Sequence, residues 1–510
     1  MFRNQPKGLI PAALANMGER FGFYTMMAIL TLFLMSKFNM TGEEAGSLYS
    51  IFYGAIYILA LAGGFIADRT KKYKSTIIAG LVTMTLGYVL LTMPSLITSK
   101  YIALAALLVI AFGNGLFKGN LQAVVGQLYD NEKYGKLRDS GFQIFYMFIN
   151  IGGMFAPFAA TSVRNWFVKS QGFLYHQDLP ALCHQLKDGK MSEEVLNGRF
   201  SELATQVSGG TLPADLSAFA DQYLNAFNTG FHYAFSVAIF AMLISLAIFL
   251  IFQRQLPNPA AKQVVKADDG SIITKEEIKQ DAQEIRQRIL ALLAVFGVVI
   301  FFWFSFHQNG LTLTMFARDY TDLSGIKINL GFVTIQGAEI FQSINPFFIV
   351  FLTPIIMAIF GWLRARGKEP STPKKIAIGM GIAAIAYVVM AIGSYDLPLF
   401  KDIQSSPLDN ALKVTPFLLI GTYFILTVAE LFISPLGISF VSKVAPPHLQ
   451  GLMQGGWLGA TAIGNQLLFI GAILYESTPL WLTWTVFVVA CLLSMITMLA
   501  MLKWLERITK

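Results

Sequence analysis

Twelve long runs of apolar residues divide the chain, and each is long enough to cross a bilayer as a helix. A transmembrane helix needs about 20 predominantly apolar residues to span the hydrocarbon core. The runs occupy residues 10–35, 46–66, 75–94, 101–128, 140–165, 230–253, 288–310, 342–363, 374–394, 414–441, 449–475 and 479–504. The pattern predicts an all-α membrane protein of about twelve transmembrane helices, with both termini on the same side.

Two polar stretches suggest how the helices are grouped. Residues 166–229 follow the fifth run, and we expect a short amphipathic helix near 216–227. Residues 254–287 follow the sixth run and end in a charged, helix-prone stretch. We interpret residues 1–253 as an N-terminal six-helix bundle with an extracytoplasmic insertion at 166–229. Residues 254–287 are then a cytoplasmic linker, and residues 288–510 a C-terminal six-helix bundle.

Composition excludes an ordinary soluble enzyme. The chain is 55% hydrophobic and 13% charged, whereas a soluble chain carries about 25% charged residues. No metal-ligand spacing and no nucleophile–base set is recognisable, so we expect no cofactor, no metal and no enzymatic activity. The net charge of +8 comes from basic residues scattered in loops rather than from a patch for nucleic acid.

The distribution of Lys and Arg predicts the orientation. Basic residues cluster in alternate loops, as at 69–74, 133–138 and 364–375, whereas the opposite short loops hold isolated ones such as Lys100. The positive-inside rule therefore places both termini in the cytoplasm. We expect a multi-pass protein of a plasma membrane, namely a bacterial inner membrane.

Ionisable residues inside apolar helices point to a polar cavity. Each costs about 2.5–3.5 kcal/mol at the centre of an inserting helix, so it needs internal partners or water. These residues are Glu19, Arg20, Lys118, His307 and Glu430. Because they lie near mid-span on four separate helices, a central cavity for a small solute explains them better than isolated ion bridges do.

The first helix carries the densest set of polar residues. Its polar and aromatic residues recur at helical spacing and so share one face, which must look into the bundle. They are Asn16, Glu19, Arg20, Phe23 and Tyr24.

The layout of two sets of six helices is typical of the major facilitator fold, and several motifs narrow the resemblance. Residues 15–24 resemble the E-x-x-E-R-F-x-Y-Y signature of proton-dependent oligopeptide transporters, and residues 145–152 look like their F-Y-x-x-I-N-x-G motif. Further similarities are Phe117-Lys118 with Asn120, residues 342–346, residues 430–437, and Gly64 to Arg69 at the facilitator loop motif. The match runs from about Pro11 to Gln466. It implies a transporter that imports di- and tripeptides together with protons.

The resemblance implies roles for individual residues. Arg20 can clamp the carboxylate of a peptide bidentately, and Lys118 adds a point charge beside it. Glu430 is the complementary anion for the amino end, and Asn150 and Asn345 offer donors and acceptors. As alternatives, the two asparagines could bridge helices.

The remaining pocket residues are aromatic or hydroxylic. Tyr24, Tyr57 and Ser434 supply hydroxyl groups, and Trp303 and Trp457 supply apolar walls. The tyrosines could instead be packing residues, and either tryptophan could lie at the bilayer surface.

Two departures from the family pattern concern proton coupling. The first glutamate of the helix-one signature is Asn16 here, and His307 precedes Gln308 where the family carries a glutamate. The remaining candidates for coupling are Glu19, Glu430 and His307. We therefore expect altered coupling. Alternatives are another solute on the same fold (nitrate, a modified peptide or a drug), uncoupled peptide exchange, and a peptide-sensing transceptor.

Overall fold

The computed structural model describes residues 4–40, 42–176, 179–257, 275–322, 327–329, 334–336, 340–404 and 412–509. Twelve stretches of helix within these ranges are long and apolar enough to cross a membrane, which confirms the predicted number. Residues 258–274 of the predicted linker lie outside the described residues.

The helices and strands follow one another in a simple order. The α-helices are α1 (Leu9–Phe38), α2 (Gly42–Thr70), α3 (Tyr73–Thr92), α4 (Lys100–Gln127), α5 (Arg138–Ser170), α6 (Leu179–Lys187), α7 (Glu193–Val195), α8 (Ser201–Val207), α9 (Leu216–Phe252), α10 (Lys275–Phe306), α11 (Thr312–Tyr320), α12 (Ile340–Ala365), α13 (Thr372–Gly393), α14 (Phe400–Gln404), α15 (Pro416–Leu431), α16 (Ser434–Val444), α17 (Gln450–Gln466), α18 (Leu468–Ser477) and α19 (Leu480–Ile508). Short 3-10 helices occupy Gly135–Leu137, Gln253–Gln255, His307–Gly310 and Pro447–Leu449, and a π-helix occupies Leu196–Phe200. Strands β1 (Lys327–Asn329) and β2 (Thr334–Gln336) form an antiparallel pair that the sequence pattern did not predict.

The polar insertion differs from its prediction in one respect. The amphipathic stretch at 216–227 is not a separate short helix, because it forms the first turns of the 37-residue helix α9. The carboxylate of Asp215 caps this helix by accepting the backbone N–H groups of Ser217 and Ala218. At about 1.5 Å per residue, α9 is longer than the hydrocarbon core is thick. The change in polarity within α9 is therefore not a helix boundary.

The first six spans pack mainly on one another, and so do the last six. In the first half, α1 lies against α5 and α9, and α4 lies against α2 and α3. In the second half, α13 lies against α15 and α19, and α10 lies against α17 and α19. The halves meet where α2 and α4 contact α17 and where α5 contacts α12 and α16.

Side chains join the two halves at the end of the bundle where α5 begins, which we name the closed end. The carboxylate of Asp68 accepts the N–H groups of Gly451 (2.9 Å) and Leu452 (2.8 Å) in the first turn of α17. Asp139 accepts from the Lys375 ammonium (2.8 Å) and the Ser439 hydroxyl (2.7 Å). Because each carboxylate binds groups of the opposite half, these contacts hold the closed end together.

Candidate functional site

A cavity of about 160 Å³ lies between the two halves of the bundle. Since a cavity needs about 10–15 Å³ of such volume to hold one water, this one has room for about ten waters or a small solute. The predicted site residues that line it are Arg20, Tyr24, Tyr57, Lys118, Asn150, Trp303, His307, Glu430, Ser434 and Trp457. The other two, Glu19 and Asn345, lie behind the lining, and each is bonded to a lining residue.

Arg20 and Glu19 form a buried ion pair on α1. The Arg20 Nε and Nη2 atoms donate to the two Glu19 carboxylate oxygens, both at 2.5 Å. Asn114 on α4 donates to the same carboxylate at 2.8 Å. A guanidinium has five N–H donors, so Arg20 keeps donors beyond the two that it directs at Glu19. Its guanidinium carbon lies 4.6 Å from the centre of the Phe23 ring, at the cavity wall.

Lys118 on α4 brings a second cation to the same half. Its side chain lines the cavity and is half-buried. None of the ion pairs formed by the described residues involves Lys118. An ammonium in such a position is a point charge available to an anionic group of a solute.

Glu430 on α15 brings the anion, and it comes from the other half. Its carboxylate accepts from the Tyr146 hydroxyl at 2.5 Å and from the Asn345 amide at 2.7 Å. Asn345 also donates to the Thr427 hydroxyl at 3.1 Å. The structure thus places Asn345 as a support that orients Glu430, rather than on the cavity surface.

The helix is interrupted just after Glu430. Helix α15 ends at Leu431, and α16 begins at Ser434 with Pro435 in its first turn. Proline has no N–H to donate, so it fits the start of a helix and not its interior. The interruption leaves Ser434, one turn after Glu430, on the cavity surface.

Asn150 lines the cavity on α5, and its amide is partly committed within that helix. The Asn150 Nδ2 atom donates to the Tyr146 carbonyl oxygen, four residues earlier, at 3.0 Å.

The aromatic walls come from both halves. Trp303 and Trp457 are buried, and their rings cross edge to face with centroids 6.4 Å apart. Neither therefore lies at the bilayer surface. His307 stacks on Trp303 with ring centroids 4.8 Å apart. On the opposite wall, the Tyr57 hydroxyl donates to the Tyr53 hydroxyl at 3.2 Å.

Four polar lining residues were missed as site residues by sequence reasoning. They are Tyr53, Gln122, Tyr146 and Thr461. Tyr53 had a detectable signal, because Tyr49, Tyr53 and Tyr57 recur every four residues and share one face of α2. Tyr146 lay inside a quoted motif, but its partner Glu430 is 284 residues away in sequence.

The fold and the site define a class of protein: a multi-pass membrane transporter whose charged cavity lies between two helical bundles. The model of the POT family matches residues 74–274 and 258–479, so the chain belongs to the POT family. Proteins of this family are transporters and not enzymes, and both predictions are thereby confirmed.

Curated relatives match almost the whole chain. It is 27% identical over 486 residues to the uncharacterized transporter YclF of Bacillus subtilis, covering 94% of this chain and 90% of that one. It is 27% identical over 481 residues to the peptide transporter YePEPT of Yersinia enterocolitica, covering 91% and 87%. The dipeptide and tripeptide permease B of Xenorhabdus bovienii is 24% identical, with 99% and 97% covered.

Solved structures confirm the major facilitator fold. A peptide transporter POT in complex with alafosfalin matches with a TM-score of 0.58 and 22% identity, covering 100% of this chain and 97% of that one. A POT family transporter in complex with 5-aminolevulinic acid matches with a TM-score of 0.57 and 21% identity, covering 100% and 98%. At these identities the likeness concerns the fold alone.

Proposed function

We propose that this chain imports di- and tripeptides by alternating access. The observation that carries the proposal is the arrangement of charge: Arg20 and Lys118 line one half of the cavity, and Glu430 lines the other. A short peptide at neutral pH is a zwitterion, so its carboxylate suits the two cations and its amine suits Glu430. A solute held this way touches both halves, and its binding favours states in which the halves are close.

The relatives support this choice of solute. The Xenorhabdus bovienii relative is named a dipeptide and tripeptide permease, and a Lactococcus lactis relative is named a di-/tripeptide transporter. A nitrate reading of the cavity is weaker, because the buried carboxylate of Glu430 opposes an anion and favours an amine.

Proton coupling is retained in this proposal but altered. Glu19 is held by both Arg20 bonds and by Asn114, so a change in its protonation would have to break a buried ion pair. Asn16 cannot titrate. The other two candidates for coupling, Glu430 and His307, both line the cavity, where a change in their protonation would change the charge presented to a solute.

The proposed orientation places both termini in the cytoplasm of a bacterium and the segment between α5 and α9 outside. The asymmetry of Lys and Arg between the loops supports this placement. The closed end then faces the cytoplasm, and residues 254–287 are the linker between the two bundles.

Uptake of labelled dialanine into liposomes containing the purified protein tests the function. We expect accumulation above the level of protein-free liposomes, and greater accumulation when the lumen is more alkaline than the medium. Unlabelled dialanine should compete, and potassium nitrate should not. Accumulation of nitrate without uptake of dialanine would contradict the proposal.

A further inference from the structure

Three buried glutamines lie between the cavity and the closed end. Gln122 on α4, Gln143 on α5 and Gln454 on α17 are each no more than 1% exposed. Gln122 lines the cavity. Gln454 donates to the Ile438 carbonyl oxygen on α16 at 3.2 Å. These helices are among those through which the two halves meet.

The position of Gln143 is fixed by its neighbours on α5. Asp139, one turn earlier, bonds Ser439 at the closed end, and Tyr146, one turn later, bonds Glu430 in the cavity. Residues three and four apart share a face of a helix. Gln143 therefore faces the second half, between the cavity and the closed end.

Several side-chain amide atoms of these glutamines make no hydrogen bond in this conformation. Both Gln143 amide atoms, the Gln122 oxygen and the Gln454 oxygen have no hydrogen-bond partner among the described residues. Buried polar groups are normally hydrogen-bonded, and each exception calls for an explanation. If these atoms only stabilised the fold, they would make hydrogen bonds within it. Apolar side chains would fill the same space at a lower free-energy cost of burial.

We propose that Gln122, Gln143 and Gln454 line the route by which a peptide leaves the cavity through the closed end. When the helices separate, these amides exchange hydrogen bonds with the peptide's own amide groups and with water. The inference rests on the proposed function and adds a second set of contacts for the same solute, on the cytoplasmic side of the cavity. It also explains why groups that are costly to bury are kept: their unpaired amides favour opening of the closed end.

The test replaces the amides while keeping the shape. Gln143→Met and Gln454→Met remove donor and acceptor from an unbranched chain of similar length. We expect a 3- to 10-fold lower maximal rate of dialanine uptake, as follows from losing about one net hydrogen bond. Dialanine affinity should stay within about twofold of the wild type. The melting temperature should be unchanged or higher in Gln143→Met, because neither amide atom of Gln143 has a partner, whereas Gln454→Met also loses the bond to the Ile438 carbonyl oxygen. The matched control is Gln185→Met, at an exposed position on α6, which should leave all three quantities unchanged.

Two results would overturn the inference. Wild-type uptake rates in both methionine variants would show that the amides do not serve the route. A melting temperature that falls together with dialanine affinity would assign the glutamines a structural role instead. The proposed function fails separately, if the wild-type protein itself neither binds nor transports dialanine.

Discussion

Four charged side chains balance one another at the cavity. Arg20 and Lys118 are cations and Glu19 and Glu430 are carboxylates, so the set is neutral when all four are ionised. Glu19 already pairs with Arg20, whereas Lys118 and Glu430 come from opposite halves. Breaking a buried pair by removing one partner leaves an uncompensated charge, which costs about 3–5 kcal/mol. We infer that Glu19 offsets the free-energy cost of burying Arg20 and orients its guanidinium, and that the solute completes the remaining pairing.

At the residue scale, His307→Ala should flatten the pH dependence of uptake. An imidazole can take up a proton, and a positive charge on His307 would change the charge that the cavity presents to a solute. The other titratable cavity residues are Arg20, Lys118, Glu430 and tyrosines, which include Tyr24. The measurement is accumulation of labelled dialanine in liposomes between pH 5 and pH 8, at a fixed pH gradient.

Glu19→Gln provides the comparison for His307→Ala, because it removes the other candidate for coupling. If His307→Ala accumulates peptide as well as the wild type at every pH while Glu19→Gln does not, the proton switch lies on α1. The assignment to His307 would then be wrong.

At the element scale, close contacts between α2 and α17 hold the halves together near the closed end. A Cβ atom placed at Gly64 would overlap the carbonyl group of Gly451. The two backbones can approach this closely only because neither residue has a side chain. Asp68, one turn after Gly64, then reaches the first N–H groups of α17, where a helix favours a negative charge.

Gly64→Ala should therefore open the closed end. Overpacking costs about 1–3 kcal/mol, which corresponds to a roughly 5- to 150-fold shift in the population of the two states. Gly54→Ala on the same helix is the control, since nothing lies within 4 Å of a Cβ there. Spin labels at Lys136 and Lys368, one on each half, report the separation. Longer distances in both variants, or in neither, would contradict this role of the contact.

The elements show which features can be predicted from the sequence. Apolar runs fix the number of spans because the bilayer demands length and composition from each helix separately. The continuity of α9 through its polar turns escaped prediction, because a helix can continue through polar residues beyond an apolar run.

The site also combines features that the sequence predicts with features that depend on how the helices pack. The shared face of Asn16, Glu19 and Arg20 follows from helical spacing alone, whereas Asn345 and Tyr146 reach Glu430 from 85 and 284 residues away. Contacts between residues so far apart in sequence depend on how the helices pack. The pattern of residues in a single sequence does not predict them. The family motifs predicted Asn345 as a site residue, but they did not predict its place behind Glu430.

At the scale of the whole molecule, cysteine labelling tests the proposed orientation. Thr211→Cys should react with a membrane-impermeant maleimide added outside intact cells, and Lys136→Cys should react only after the cells are opened. Thr211 suits the purpose better than Gly209 or Gly210, whose positive φ angles make a side chain strained. Labelling of Thr211→Cys from the cytoplasm alone would reverse the orientation.

The native cysteines should contribute little background to this experiment. Both Cys183 and Cys491 are buried. Burial raises the pKa of the Cys183 thiol to about 12. The reactive thiolate is therefore scarce at neutral pH, and an introduced, exposed cysteine will react first.

The central claim is that Glu430 holds the amine of a peptide whose carboxylate lies on Arg20 and Lys118. The most direct measurement is a cycle of four affinities: dialanine and N-acetyl-dialanine, each binding to the wild type and to Glu430→Gln. Charge-assisted hydrogen bonds contribute about 1.5–3 kcal/mol. Acetylation should therefore weaken binding to the wild type roughly 10- to 150-fold and binding to Glu430→Gln only slightly. Equal losses in the two proteins would show that Glu430 does not hold the amine.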